Sequence, residues 1–211
     1  MAAQFKERLD AHAVARIGAA ITAVAPDFAA PKFSAAVVPG LAERELIARV
    51  EHIADGIAAH LLRPFPDAAA VLVAALGAPV PTEAPDVSLD DGPLRGFLVW
   101  PLTRFIARYG ADHFDAAFGA LREMTRRFTG EFAVRGFIER EPERAYALLG
   151  VWADDPDPHI RRLVSEGSRP RLPWGQRLRG AIADPSAGLA LIERLKDDPS
   201  LYVRRSVANH L

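Results

Sequence analysis

Cysteine is absent from all 211 residues, which excludes disulfides, thiolate zinc sites, iron–sulfur clusters and thiol nucleophiles together. The chemistry left to the chain uses carboxylates, His, Ser/Thr, Tyr or a bound cofactor. Long apolar runs are missing too. None approaches the ~20 residues of a membrane span, and the N-terminus MAAQFKERLD lacks the basic head and apolar middle of a secretory signal. The expectation is a cytoplasmic protein with no membrane partner. The six histidines lie scattered at 12, 52, 60, 113, 159 and 210 with no HExxH, and neither GxGxxG nor a P-loop occurs, so neither zinc nor a Gly-rich phosphate cradle is expected. Lysine is scarce: of 26 basic residues 23 are Arg. Arg pairs bidentately with phosphate, so a polyanionic partner is one reading and a compositional bias toward Arg the other. The charge is also uneven. Residues 1–100 carry 8 basic and 12 acidic side chains, net −4, whereas residues 101–211 carry 18 and 15, net +3.

What the chain does have is apolar content, 50% of its residues, enough for a substantial core. Almost no run alternates apolar and polar, while a 3.6-residue period recurs from end to end, so the expected class is all-α. Val14, Ile17, Ile21 and Val24 form one stripe, closed by Pro26. Leu46, Val50, Ile53, Ile57 and Leu61 form a longer one, closed by Pro64, and Asp67–Leu76 reads as a short helix ended by Gly77. Gly77–Pro93 then breaks all periodicity with four prolines and two glycines. The expected division is a helical subdomain over 1–76, a Pro/Gly-rich linker loop over 77–93, and a repeat region over 94–211.

Past the linker, Phe114, Phe118 and Leu121 with Phe128 predict a helix. Thr129 can cap the next, through Phe132, Ala133 and Phe137, and Pro142 opens a third with Ala145, Leu148, Leu149 and Trp152. Asp157-Pro158, Asp184-Pro185 and Asp198-Pro199 each fit an Asp N-cap with Pro at the first helical position. Residues 155–164 (DPDPHIRRLV) align with residues 198–207 (DPSLYVRRSV) at an offset of 43. That falls within the ~40–47-residue period of HEAT and armadillo repeats. Val134-Arg135 reads as a third, degenerate copy. The chain stops inside the helix begun by Asp198, where a solenoid calls for a capping repeat, so it reads as an unusually short protein or part of a longer one.

Three blocks carry a family resemblance: Thr125–Arg135 (TRRFTGEFAVR), Val164–Trp174 (VSEGSRPRLPW) and Tyr202–Leu211 (YVRRSVANHL). They resemble the AlkC branch of the HEAT-like-repeat DNA alkylation repair glycosylases, and the likeness extends to Gln4–Glu7 and Trp100-Pro101. Gly136 stands where that family usually has Pro, and the chain ends just before the Asn-Asp that typically follows the last block. That Asp is one of the family's expected carboxylates. The resemblance implies a right-handed α-solenoid of HEAT-like repeats that acts as a monomer, without cofactor or metal. Its implied partner is duplex DNA containing alkylated bases, from which it excises 3-methyladenine and related N3-alkylpurines. A non-enzymatic HEAT module binding duplex DNA or a protein is the alternative.

Each candidate residue has a plainer reading beside it. Glu131 lies in a first helical turn, where an acid favours the dipole by ~0.3–1 kcal/mol; the resemblance makes it the catalytic carboxylate. Trp174, after Leu-Pro in a loop, reads as a lesion-proximal aromatic, unlike Trp152 at core spacing. Arg161 and Arg204 sit where a repeat Arg pairs with an Asp of its neighbour. Arg162 and Arg205 point to another side of their helices and are read as DNA-binding. Arg169 and Arg171 flank Pro170 and can hold phosphates or simply be solvated. Glu166, beside Ser165, reads as orienting Arg169.

Overall fold

The computed structural model describes residues 5–81 and 94–210, and the side chains of Asp10 and Asp157 each cap a helix in it. Twelve α-helices and no named strand occur among the described residues. The first, α1 (Ala11–Val24), opens on Asp10, whose carboxylate accepts from Ala13 N at 2.8 Å. Val14, Ile17 and Ile21 are buried, but Val24 is 41% exposed, because the stripe ends where the chain turns toward Pro26. Next come α2 (Ala30–Val37), α3 (Leu46–His60) and α4 (Phe65–Ala74). All five residues of the stripe from Leu46 to Leu61 are buried. Helix α4 starts two residues before the expected Asp67, since Pro66 fits its first turn. It also stops before Leu76, which instead makes a bridge with Leu94. Helices α5 (Trp100–Tyr109) and α6 (Phe114–Thr125) follow, α5 against α3 and α6 against α4. Phe128 lies beyond the end of α6, in a ring cluster with Phe97 and Trp100 at centroid distances of 5.4 and 5.9 Å.

The chain divides into two compact units, with one break before Pro81 and another after Phe128. The described residues 5–80 and 94–128 form one; 129–210, with Pro81, form the other. On either side of the Pro/Gly-rich stretch, Gly77 N donates to Leu94 O, Val80 N to Arg126 O and Gly96 N to Arg127 O. Most of that Pro/Gly-rich stretch, residues 82–93, lies outside the described residues.

The second unit holds α7 (Glu131–Arg140), α8 (Pro142–Trp152), α9 (Pro158–Gly167), α10 (Arg179–Ala183), α11 (Ser186–Leu195) and α12 (Leu201–His210). Its centre is α9 packed on α12, and these are the two copies read at offset 43. The copies share backbone chemistry. Asp155 accepts from Asp157 N and Asp198 from Ser200 N, each at 2.8 Å. Arg161 donates to the carbonyls of Asp155 and Pro156, and Arg204 to those of Asp198 and Pro199. Arg161 also reaches across to Asp198, Nε to Oδ2 at 2.6 Å and Nη2 to Oδ1 at 3.0 Å, the neighbour-repeat pairing expected of it.

Three expectations change here. Asp157 does cap α9 with Pro158 in its first turn. Asp184 and Asp198 instead stand ahead of their helices, accepting from Ser186 N and Ser200 N, and α12 begins only at Leu201. Gly130, not Thr129, is the N-cap of α7, although Thr129 Oγ1 still accepts from Glu131 N at 3.3 Å. Val134-Arg135 departs from the other two copies, because Arg135 sends its guanidinium to distant carbonyls rather than back to its own helix entry.

Candidate active site

Glu131 opens α7 and is only 8% exposed, so the solvent-facing dipole partner is not what the fold makes of it. Its Oε2 accepts from the Thr129 hydroxyl at 2.9 Å and from the Arg162 guanidinium; Oε1 accepts no hydrogen bond among the described residues. Burial pushes the Glu131 carboxyl above its ordinary value. Arg162 and Thr129 pull it back in part, and the charge of Glu166 adds to the rise. A buried acid with a perturbed proton affinity beside a specific cation is the physical signature of a functional group.

Arg162 sits on α9, one turn before Glu166, and touches both carboxylates. Its second nitrogen lies 3.6 Å from Glu166 Oε2, and its carbon stands 5.6 Å from the Tyr202 ring centroid. Glu166 is held from three sides, by Arg162, by Arg169 on Oε1 and by the Ser206 hydroxyl on Oε2 at 2.6 Å. Burial raises its carboxyl, but these partners outweigh burial and hold it below the usual range. Two buried carboxylates and two guanidiniums thus form a charge-balanced cluster across α7, α9 and the loop after α9, with Ser206 and Tyr202 of α12 against it. Pairing of this kind offsets part of the cost of taking the charges out of water. Among the described residues no group of three or more His, Cys, Asp or Glu side chains could hold a metal.

The loop after α9 is pinned from beneath. Arg135 of α7, 0% exposed, donates to the carbonyls of Gly167 (3.0 Å), Arg169 (2.7 Å), Pro170 (3.3 Å) and Gln176 (2.5 Å). Burial lowers its pKa to about 10. Gly167 lets α9 approach α7, since a Cβ there would meet Val134 at 2.8 Å. The loop then turns over Leu172, with Gly175 N donating to Leu172 O at 3.0 Å. Trp174 lies inside that turn at φ 61° and is 64% exposed. The left-handed region disfavours a side chain by roughly 1–2 kcal/mol, and strain of this kind collects where function over-determines the backbone. An exposed indole held that way serves no core.

The fold therefore gathers Glu131, Arg162, Glu166 and Arg169, and leaves Trp174, Arg171 and Arg205 exposed. Arg162 and Arg205 differ here. Read as a DNA-binding cation, Arg162 is engaged by carboxylates because its side of α9 faces α7 and α12; its repeat equivalent Arg205 is the one in solvent. Arg169 is also partly engaged, on Glu166. Sequence reading passed over Ser206, Tyr202 and the loop-pinning role of Arg135. One signal for Ser206 was available: at offset 43 it replaces the fully buried Leu163, and a hydroxyl at a core position of a repeat calls for a buried partner.

The comparisons with known proteins meet this geometry. A solved structure of Pseudomonas fluorescens alkylpurine DNA glycosylase AlkC, bound to DNA containing an abasic site analog, matches with a TM-score of 0.84 and 36% identity, over 98% of this chain and 54% of that one. The chain is similar to AlkC in sequence and in fold. The all-α, HEAT-like helical fold expected from the sequence is the one shared with AlkC. The uncharacterized protein YhaZ of Bacillus subtilis (strain 168) is 46% identical over 107 residues, 51% of this chain and 30% of that protein. No family model matches. The chain spans about half the length of the solved AlkC structure. No single described helix is long and apolar enough to cross a membrane.

Proposed function

We propose that this protein is a DNA glycosylase that hydrolyses the C1′–N9 bond of N3-alkylated purines, 3-methyladenine first among them, in duplex DNA. The observation that carries the reading is the buried Glu131 carboxylate, fixed through Oε2 with Oε1 unbonded, in a chain matching an alkylpurine DNA glycosylase. N3-alkylation makes the purine a cation, so it departs neutral with the C1′–N9 electron pair. The sugar is left as an oxocarbenium-like cation, as in glycoside hydrolysis. Glu131 stabilises that cation through Oε1 and takes the proton of the water whose oxygen bonds to C1′. Arg162 and the Thr129 hydroxyl favour the charged carboxylate and orient it. Trp174 lies against the lesion, where an aromatic face attracts a cationic base, and Arg169, Arg171 and Arg205 contact phosphates. The reading includes no cofactor, no metal, a monomer and a cytoplasmic location.

The test is release of free 3-methyladenine from methylated duplex DNA, followed across pH. The rate is expected to fall as pH drops through the Glu131 pKa, with the acid limb above the ordinary value of 4.5, because only the ionised form acts. Binding of the duplex without base release would leave the non-enzymatic module in its place.

Replacing Trp174 with Gly is expected to leave unfolding within about 1 kcal/mol of wild type, since relief of the left-handed conformation offsets the greater chain entropy of Gly. Affinity for methylated DNA should drop. A variant that melts early would make Trp174 a packing residue.

A further inference from the structure

The second unit contains a cleft of about 650 Å³ lined by Glu139, Arg171, Gln176, Arg177, Arg179 and Ile182. Three of its six lining residues are arginines. No carboxylate pairs with any of the three among the described residues, whereas Arg161, Arg162 and Arg169 of the same unit all do. The only acid in the wall is Glu139, so the cleft carries a formal excess of two positive charges.

The frame beneath it is rigid. Arg135 holds the carbonyls of Pro170 and Gln176, and Leu178 N donates to Pro170 O at 3.1 Å. These bonds close the base of the loop on both sides of Arg171 and Arg177, and Arg179 follows at once on α10. A guanidinium on a braced loop loses less freedom on binding than one on a mobile tail. Unpaired arginines converging on one concavity suit phosphate oxygens, which accept two parallel bonds from each fork. The same loop presents the exposed Trp174, a ring suited to nucleic acid rather than to an acidic peptide.

We propose that the Arg171–Arg177–Arg179 cleft binds phosphodiester groups of a duplex, as a backbone site separate from the Glu131–Glu166 cluster. The inference rests on the glycosylase reading in that the partner is DNA and that Arg171 contacts phosphate, and extends it to Arg177 and Arg179. The experiment measures binding of the full chain to an undamaged duplex by fluorescence anisotropy across a salt series, with thermal unfolding on the same samples. In the triple variant R171A/R177A/R179A the slope of log K against log salt should flatten by about 2–3, at roughly 0.9 per lost phosphate contact. Melting should be unchanged, because all three side chains are exposed. The triple Lys variant should keep most of the slope. Glu139→Gln, which removes the one opposing charge, should tighten binding severalfold. An unchanged slope in the Ala triple overturns the proposal. So does loss of inorganic pyrophosphate or polyglutamate binding in that triple with DNA binding intact, which would assign the cleft to free anions or an acidic peptide. If wild type releases no base from methylated DNA, the glycosylase reading fails while the slope change still stands. If base is released and the slope does not change, this site fails alone.

Discussion

Glu131→Gln is expected to slow base excision at least a hundredfold, about 2.7 kcal/mol of barrier, without lowering the melting temperature at neutral pH. The rate loss is the scale of removing one preorganised charged group from a developing ion. The stability half follows from the direction of the pKa shift. The folded-state value of Glu131 lies above its ordinary 4.5, with burial the largest cause. The folded state therefore keeps this proton to higher pH than the unfolded state. Stability contributed by the protonated acid is present below 4.5 and is lost as pH rises through the folded value. Gln mimics the protonated form, so the variant escapes that loss, and its stability relative to wild type should grow across the same window. Arg162 keeps a partner in Glu166 at 3.6 Å. This reverses what a surface position would give, where losing a helix-dipole partner costs up to ~1 kcal/mol. Calorimetry at two pH values, with DNA affinity and single-turnover excision on the same protein, separates the cases. Early unfolding with a proportional loss of DNA binding would make Glu131 a structural residue.

Arg135→Ala should be the most damaging single substitution in the second unit, at about 3 kcal/mol or more, with DNA affinity falling as well. Four backbone carbonyls of the loop over 167–176 depend on this one fully buried guanidinium. Removing a donor that leaves buried acceptors unmet costs about 1–3 kcal/mol for each group that water fails to reach. The loop carrying Arg169, Arg171 and Trp174 should then lose its frame. Arg135→Lys is not expected to rescue it, because one ammonium cannot span carbonyls that a planar five-donor fork reaches together. The measurement is thermal unfolding with hydrogen exchange across the loop. An Ala variant with wild-type melting and unchanged exchange would sink the pinning role.

Sequence by itself determined the helices and the repeat. Caps, prolines and the 3.6 period are local, and the stripe from Leu46 to Leu61 and the Asp157-Pro158 start fall where those rules put them. The 43-residue offset announced that α9 and α12 would repeat one another, down to the way Arg161 and Arg204 close their own entry turns. Periodicity does not say which copy faces what, and there tertiary structure decided. Arg162 and Arg205 are equivalent in the repeat, yet one is enclosed between two carboxylates and the other faces solvent. Glu131 had the local pattern of an exposed first-turn acid, and only the packing of α9 against α7 and α12 buried it. Ser206 and Arg135 found their partners 40 and 32 or more residues away in the chain. Burial and charge pairing are set by neighbours distant in sequence, so the cluster's protonation and the loop's rigidity came from the fold.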